Sequence, residues 1–467
     1  MSTTAATVPG DASHVADEIV ARLERLPFSR FHLHLASILG VGTFFDAFDS
    51  LTIASALPVI FGTLHIGFVN AGLVVSAGFF GALVGAIIIG FLSELYGRKF
   101  AFLFSLLLFG LATAAVPFSW NLRSMLVLRV LQGLGIGGEV PIAAAMLNEF
   151  VRGRNRGRVG GLYQSLFAWG TILTPTLSLL FFAAFGLQLG WKVLFWFGGV
   201  PVLAAVYGLF RLPESPRWLA DKGRTTEANQ VVASIEAHYD PTDLEAPEVH
   251  FQADVKPTRF GELFAGGYWR RTVLIWTQFF TYSVVSNTLG GWLPTVYTRV
   301  GHVSTQFALV LTIIGGIVGV TVGAYGFAFF SDRIGRKPLF VLGFALIILG
   351  GLAGILMVSL LHAASWPILF SAGVIMLLGT GFNSNGVYLY TAELFPTRMR
   401  AWATSTGHGA SRLAGVIGPI LLGILLASKF GIGGLYAMFL IAAIIGLMVM
   451  LALGIETKQQ VLEEISA

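Results

Sequence analysis

Five ionisable residues sit inside stretches that are otherwise apolar, and they carry most of the chemical information in this chain. Arg412 lies near the middle of Ala401–Phe430 (AWATSTGHGASRLAGVIGPILLGILLASKF). At about 1.5 Å of rise per residue, that is close to the centre of a bilayer span. A charge at that depth costs about 2.5–3.5 kcal/mol on the lenient insertion scale, so it faces a cavity or a partner. A guanidinium grips a carboxylate through two parallel bonds, which makes Arg412 the candidate anion binder. The competing possibility is that Arg412 pairs with Glu139 or Asp46. Asp46 and Asp49 share one helix face in FFDAFDSLTIASALP (Phe44–Pro58) through their i,i+3 spacing. Arg129 falls in the fourth apolar run at a depth similar to that of Asp49. Acids and a base so placed either exchange protons or form a permanent pair. Glu139, within GLGIGGEVP (Gly133–Pro141), is either a second proton site or the counter-charge of Arg412, and spacing does not separate the two. Its glycines admit a neighbouring helix, and Pro141 weakens the backbone ladder beside it.

Around these charges lie polar and aromatic residues that can line a pocket. They are Gln164, Phe167 and Trp169 in the fifth run, and Gln278, Tyr282 and Asn287 in the seventh. The tenth adds Asn383, Asn385, Tyr388 and Tyr390, and His408 precedes Arg412 by one turn. Singly, each is as well explained by contact between helices. As a set, they suit a small ligand with a polar end and an aromatic or apolar body.

The elements that must position these residues are transmembrane helices. Hydrophobic residues make up 55% of the 467 and charged residues 11%, against about 25% charged in soluble proteins. Mean hydropathy is +0.78. Twelve apolar runs reach spanning length: 33–60, 67–92, 100–118, 123–149, 159–185, 190–210, 272–297, 305–330, 339–361, 366–394, 401–428 and 432–454. No ten-residue alternation suggests a barrel. The expected fold is an all-α membrane protein of twelve helices in two pseudo-symmetric six-helix halves. A cytoplasmic segment 1–32 contains a surface helix over 13–26 (SHVADEIVARLERL). The halves are 33–210 and 272–454. A cytoplasmic central loop at 211–271 includes a short helix over Thr225–Tyr239, and a tail runs over 455–467.

Lysine and arginine set the orientation. With a cytoplasmic N-terminus, the inside loops hold Arg98, Lys99, Arg152, Arg154, Arg156, Arg158, Arg333, Arg336, Lys337, Arg398 and Arg400. The outside keeps Arg123, Lys192, Arg299 and Lys429. Both termini are therefore expected inside a cell (inner) membrane, and the polar N-terminus implies no cleaved signal peptide. The absence of cysteine excludes disulfides and thiolate chemistry. There is no H-E-x-x-H, no histidine cluster and no phosphate-cradling glycine loop, so no cofactor, metal site or enzymatic activity is expected. The small net charge of +5 contains no run suited to nucleic acid.

The halves repeat. GFLSELYGRK (Gly90–Lys99) follows the second run and FFSDRIGRK (Phe329–Lys337) the eighth. NEFVRGR (Asn148–Arg154) ends the fourth and AELFPTRMR (Ala392–Arg400) the tenth, at nearly the same offset. Such duplication is typical of secondary transporters that rock around a midplane site. Glu94, Arg98, Glu149, Arg152, Asp332, Arg336 and Glu393 are expected to form a cytoplasmic gate whose pairs break when the inside opens. Arg154 and Arg158 are alternative partners for Glu149.

These residues resemble the major facilitator superfamily over about 28–456. The G-x-x-x-D-x-x-G-R-K/R loop occurs as Gly90…Glu94…Gly97-Arg98-Lys99 and as Asp332…Gly335-Arg336-Lys337. Glu94 stands in place of the usual Asp, and Ala328 in place of the usual Gly. Pro213–Leu219 (PESPRWL) is similar to the sugar-porter branch. Phe44–Pro58 resembles bacterial metabolite:proton symporters with an Asp-Gly-x-Asp motif, Ala47 taking the place of its Gly. Leu26–His32 (LPFSRFH) and Gly137–Pro141 are most similar to the niacin-transporter group related to organic-ion carriers.

The resemblance implies a monomeric, proton-coupled importer of a small organic monocarboxylate, nicotinate first and a benzoate-like acid second, whose partners are that anion, protons and the lipid bilayer. Arg412 would bind the carboxylate. Asp46, Asp49, Arg129 and Glu139 would handle the proton, with Asp49 and Arg129 at the acid and arginine positions of proton-coupled sugar porters. A neutral sugar or polyol symporter and a non-transporting nutrient sensor are the alternatives.

Overall fold

Apolar runs of this length can bury their peptide groups in lipid only as helices, and nearly every long run becomes one. The computed structural model describes residues 9–239, 244, 259–360 and 365–458. Most of the central loop beyond Tyr239, the tail beyond Lys458 and the side chains of Arg154 and Arg158 lie outside the described residues. The first half comprises α2 (Arg30–Thr63), α3 (Phe68–Tyr96), α4 (Arg98–Ala115), α5 (Leu122–Phe150), α6 (Gly153–Phe197) and α7 (Pro201–Arg211). The second comprises α10 (Tyr268–Arg299), α11 (Thr305–Gly315) with α12 (Val322–Ile334), α13 (Arg336–Ile355), α14 (Trp366–Leu394), α15 (Thr397–Ala427) and α16 (Gly431–Leu453). Helix starts are set by local caps: the Asn121 side chain accepts from the Ser124 N–H at 2.8 Å, and Ser304 accepts from the Phe307 N–H at 3.3 Å.

Among the described residues, nine stretches are long and apolar enough to cross a membrane. They correspond to twelve spans for local reasons. Leu162–Arg211 holds two spans, because Gly186 (φ 71°) breaks α6 and Gly198–Val200 separates α7. The eighth span is α11 and α12 joined by a π-helical segment, Gly316–Thr321. The seventh, α10, carries too many amides and hydroxyls to stand out by hydropathy.

The two halves meet along α2–α10, α3–α15 and α6–α11. One buried cluster spans both halves and includes Ile53, Leu57 and Ile60 of α2 and Val285, Leu289 and Trp292 of α10. All six lie toward the end of the bundle opposite the basic loops. At that end α3 and α15 touch backbone to backbone: a Cβ on Gly72 would lie 2.5 Å from the Pro419 carbonyl, and one on Gly423 2.5 Å from that of Phe68. At the basic-loop end, each of two further clusters stays within one half. The space between the halves is thus sealed at one end and opens toward the basic loops.

The duplicated loops have the same construction in both halves. Gly97 (φ 107°) and Gly335 (φ 108°) adopt a backbone that an L side chain resists. The next two N–H groups in each copy donate to one carboxylate: Arg98 and Lys99 to Glu214 at 2.9 and 3.1 Å, and Arg336 and Lys337 to Glu456 at 2.9 and 3.1 Å. A carboxylate at a helix N-terminus is favoured by the dipole and the unpaired N–H groups there.

Residues of the expected surface helix form α1 (Pro9–Glu24), and its apolar side is covered. Ile19, Leu23 and Leu26 are buried in one cluster with Ala228, Val232 and Ile235 of α9 (Thr225–Glu236), beside α8 (Pro216–Asp221). Arg22 and Arg25 both pair with Glu236, at 2.5 and 2.6 Å. The helix is therefore a docked element of the basic-loop end rather than one with a free apolar face.

Candidate functional site

Asp46 and Asp49 fall at the centre of α2 because that helix runs past both ends of its apolar stretch. Arg129 falls two turns into α5, and Arg412 at the middle of α15. Together they line a cavity of about 210 Å³ between the halves. Its wall is mostly apolar, with Ile53, Val75, Phe79, Ile136, Phe167, Ile172, Ile313 and Leu377. Ser50, Thr171, Ser286, Asn287 and Thr312 supply the uncharged polar groups.

The two arginines are held very differently. Arg129 is held through Nη1 and Nε. Its Nη1 donates to both Asp49 oxygens at 3.1 Å and to Gln132 Oε1, and its Nε reaches the Val74 carbonyl at 3.4 Å. The Gln132 amide donates in turn to Asp49 and to Thr113 Oγ1, closing a network within the first half. Gln132 is the functional residue that reading the sequence missed; its signal was the i,i+3 spacing from Arg129.

Among the described residues Arg412 makes one long polar contact, Nη2 to Asp46 Oδ2 at 3.5 Å. A guanidinium has five N–H donors, so most of its capacity is open to the cavity. Its helix is steadied beside it: Ser411 Oγ meets Ser283 Oγ at 2.7 Å, and Asn287 Nδ2 donates to the Ser411 carbonyl at 3.4 Å. Of the two charged pairs lining the cavity, Asp49–Arg129 lies within one half and Asp46–Arg412 joins the halves.

Glu139 is buried, and neither carboxylate oxygen has a hydrogen-bond partner among the described residues. It packs on Gly42, where any Cβ would collide with its carboxylate. The direct ion-pair contact of Arg412 is with Asp46, and Glu139 makes no hydrogen bond to it among the described residues.

The expected pocket residues divide. Asn287 and Phe167 line the cavity. Gln164, three residues before Phe167, falls on the same helical face. Trp169 does not: it lies about 200° around the helix from Phe167 and is 56% exposed. Gln278 donates to the Gly446 carbonyl at 3.0 Å, tying α10 to α16. Asn383 is buried against Gly343 of α13, and Tyr390 donates to the Ile455 carbonyl at 2.6 Å. These three join helices and do not line the cavity. Asn385 is exposed and also outside the lining. Tyr388 and His408 meet edge-on at 6.3 Å, and Phe279 meets Tyr388 at 5.1 Å. With buried Tyr282 beside Phe279, they make an aromatic cluster on the basic-loop side of Arg412.

The expected gate residues pair within each half. Arg98 meets Glu94 at 2.7 Å and Glu149 at 3.6 Å. Arg336 meets Asp332 at 2.9 Å and Glu393 at 2.8 Å. Arg152 immediately precedes α6 and is partly buried.

Comparisons with known proteins converge. A family model described as "Sugar (and other) transporter" matches residues 51–467. The niacin transporter NiaP of Acinetobacter baylyi is 29% identical over 452 residues, covering 96% of this chain and 99% of its own. The 4-hydroxybenzoate transporter PcaK of the same organism is 28% identical over 433 residues, covering 91% of each. Among solved structures, the partially occluded inward-open xylose transporter XylE from E. coli matches with a TM-score of 0.71 and 17% identity. That match covers 93% of this chain and 100% of the other.

Proposed function

The chain belongs to the sugar (and other) transporter family of the major facilitator superfamily, and from that premise we propose that it is a proton-coupled importer of a small organic monocarboxylate, nicotinate first and a benzoate-like acid second. The observation that carries this reading is Arg412: a guanidinium at mid-membrane, lining the cavity, with one 3.5 Å contact. In a low-dielectric cavity a charge with open donors favours an anion, and two parallel N–H···O bonds fix a carboxylate's orientation. Phe79 and Phe167 offer ring faces to a flat body. The relatives that carry niacin and 4-hydroxybenzoate support a carboxylate attached to a ring. The apolar wall weighs against a sugar, whose hydroxyls each need a partner.

In this reading Asp49, Arg129 and Gln132 form the proton-sensitive lock of the first half, since protonating Asp49 would release Arg129. Glu139 is an acid held in reserve beside it. The basic loops favour a cytoplasmic side for both termini, with the protein in the inner membrane, and on that orientation the cavity opens inward. The chain works as a monomer. Glu94, Arg98, Glu149 and Arg152, with Asp332, Arg336 and Glu393, act as the cytoplasmic gate, their pairs kept within each half while the inside is open.

The test is labelled nicotinate uptake into proteoliposomes with and without an inward proton gradient. Uphill accumulation that an uncoupler collapses is expected. Arg412→Ala should lose about 1.5–3 kcal/mol of nicotinate binding, the worth of hydrogen bonds to a charged group, which is roughly ten- to hundredfold in affinity. Unchanged nicotinate protection of that variant in a thermal-shift assay would remove Arg412 from the binding role.

A further inference from the structure

We propose that Asp46 is the seat of the co-transported proton, and that it takes that proton because the substrate carboxylate displaces it from Arg412. The proposal rests on the anion reading above and assigns the proton that travels with the substrate to Asp46 rather than to Asp49, which keeps Arg129 during this step. Three observations lead there. First, Asp46 and Arg412 both line the cavity, so an anion reaching the guanidinium meets Asp46 already on it. Second, the contact is a single one at 3.5 Å, whereas Asp49 binds Arg129 through both oxygens and is reinforced by Gln132. The weaker pair yields first.

Third, the surroundings offer Asp46 no replacement cation. Asp49 lies one turn along on α2, Glu139 faces it from α5, Tyr163 from α6 and Tyr388 from α14. His408 and Tyr282 stand on the Arg412 side, from α15 and α10. Arg129, the other cation of the cavity, is held by Asp49. An Asp46 carboxylate released from Arg412 would therefore sit among two acids and neutral rings, a setting that a buried charge does not tolerate unpaired.

The exchange balances. The Arg412–Asp46 contact breaks, and two N–H···O bonds form from Arg412 to the substrate carboxylate. An O–H bond forms on Asp46 with a proton taken from the bulk solution and relayed through water in the cavity, its conjugate base staying outside. One negative charge arrives and one is neutralised, so the charge of the cavity is unchanged and one proton travels with each monocarboxylate. Because Asp46 belongs to one half and Arg412 to the other, the same exchange also removes a tie between the halves.

The experiment is calorimetric titration of the purified full chain with nicotinate, and separately with benzoate, in two buffers of different ionisation enthalpy above neutral pH. Wild type should take up about one proton per ligand, and its affinity should fall about tenfold per pH unit. Asp46→Asn should bind with no proton uptake and no such pH dependence, while Asp46→Glu should restore both. Ligand-induced infrared difference spectra of wild type should show a new protonated carboxyl, which tests the idea even if Asp46→Asn does not fold. Proton uptake that persists in Asp46→Asn, or the absence of a new protonated carboxyl in wild type, overturns the proposal and leaves the anion reading standing. No binding of either acid by active wild type overturns both.

Discussion

Replacing Asp49 by Asn should destabilise the first half far more than the loss of one hydrogen bond would. Arg129 is 2% exposed and Asp49 4%, so either charge left alone would be poorly hydrated. In the wild type both Asp49 oxygens accept from Arg129, and Oδ1 also accepts from Gln132. An asparagine keeps one acceptor and turns an –NH₂ toward the guanidinium, donor against donor. Arg129 is then left with the neutral oxygens of Gln132 and Val74. Removing one partner of a buried ion pair costs about 3–5 kcal/mol, because the remaining charge is uncompensated. Arg129→Gln should cost a similar amount from the other side. The double variant carries no buried charge at this site, so its cost should fall short of the sum by about 2–3 kcal/mol, the upper range for coupled neighbours. The assay is equilibrium unfolding of the purified chain in mixed micelles with increasing SDS, followed by tryptophan fluorescence. Single variants within about 0.5 kcal/mol of wild type, with an additive double, would refute the reasoning. The pair would then have to be reached by water or dispensable to packing.

Two further predictions use the same logic in different places. Glu139→Gln removes a carboxylate that has no hydrogen-bond partner, so it should leave unfolding unchanged or make it harder by up to about 1 kcal/mol. A loss above about 2 kcal/mol in the same SDS titration would mean that a partner holds the carboxylate charged. At the basic-loop end, partial burial lifts the Glu236 carboxyl, but its bonds and charge contacts with Arg22 and Arg25 outweigh that and set it below its ordinary value. A depressed acid stabilises fully above its unfolded value of about 4.3, and the stabilisation is lost as pH falls through the lower folded value. Docking of α1 should thus hold from neutral pH to about pH 5 and weaken below, read as rising amide exchange in 17–24. Glu236→Gln should flatten that dependence, and a variant that keeps it would exclude Glu236 as the cause.

What could be read from the sequence depended on how costly each feature is. Arg412, Asp46, Asp49 and Arg129 stood out because a charge in an apolar run needs a reason, and all four line the cavity. The repeated Gly-Arg-Lys loops stood out because both copies need the same positive-φ glycine. Helical phase was harder. Trp169, Gln278 and Asn383 lie in helices whose polar residues are not gathered on one face, so no polar face says which direction points to the cavity. Trp169 turns away from it, and the two amides serve neighbouring helices. Gln132 escaped notice because an amide costs less to bury than a charge. The break at Gly198–Val200 and the π segment at Gly316–Thr321 leave mean hydropathy untouched, so run length alone could not find them. The docked position of α1 depends on α8 and α9, more than 190 residues away in sequence, and an amphipathic pattern cannot say what will cover it.

The seam between α3 and α15 has a consequence for how such a protein is controlled. At Gly72 and Gly423 the nearest atoms of the opposite half are backbone atoms, so the contact there is made without charged groups. Parting such surfaces leaves little to rehydrate, so ionic strength and pH have no grip on it. What opposes separation is dispersion over a close-fitting area and the lateral pressure of the surrounding lipid. On the proposed function, chemical control would then be concentrated in the charges around the cavity, while bilayer thickness would act as a mechanical load on the far end. Two influences that other designs combine at one interface are here assigned to different depths of the membrane.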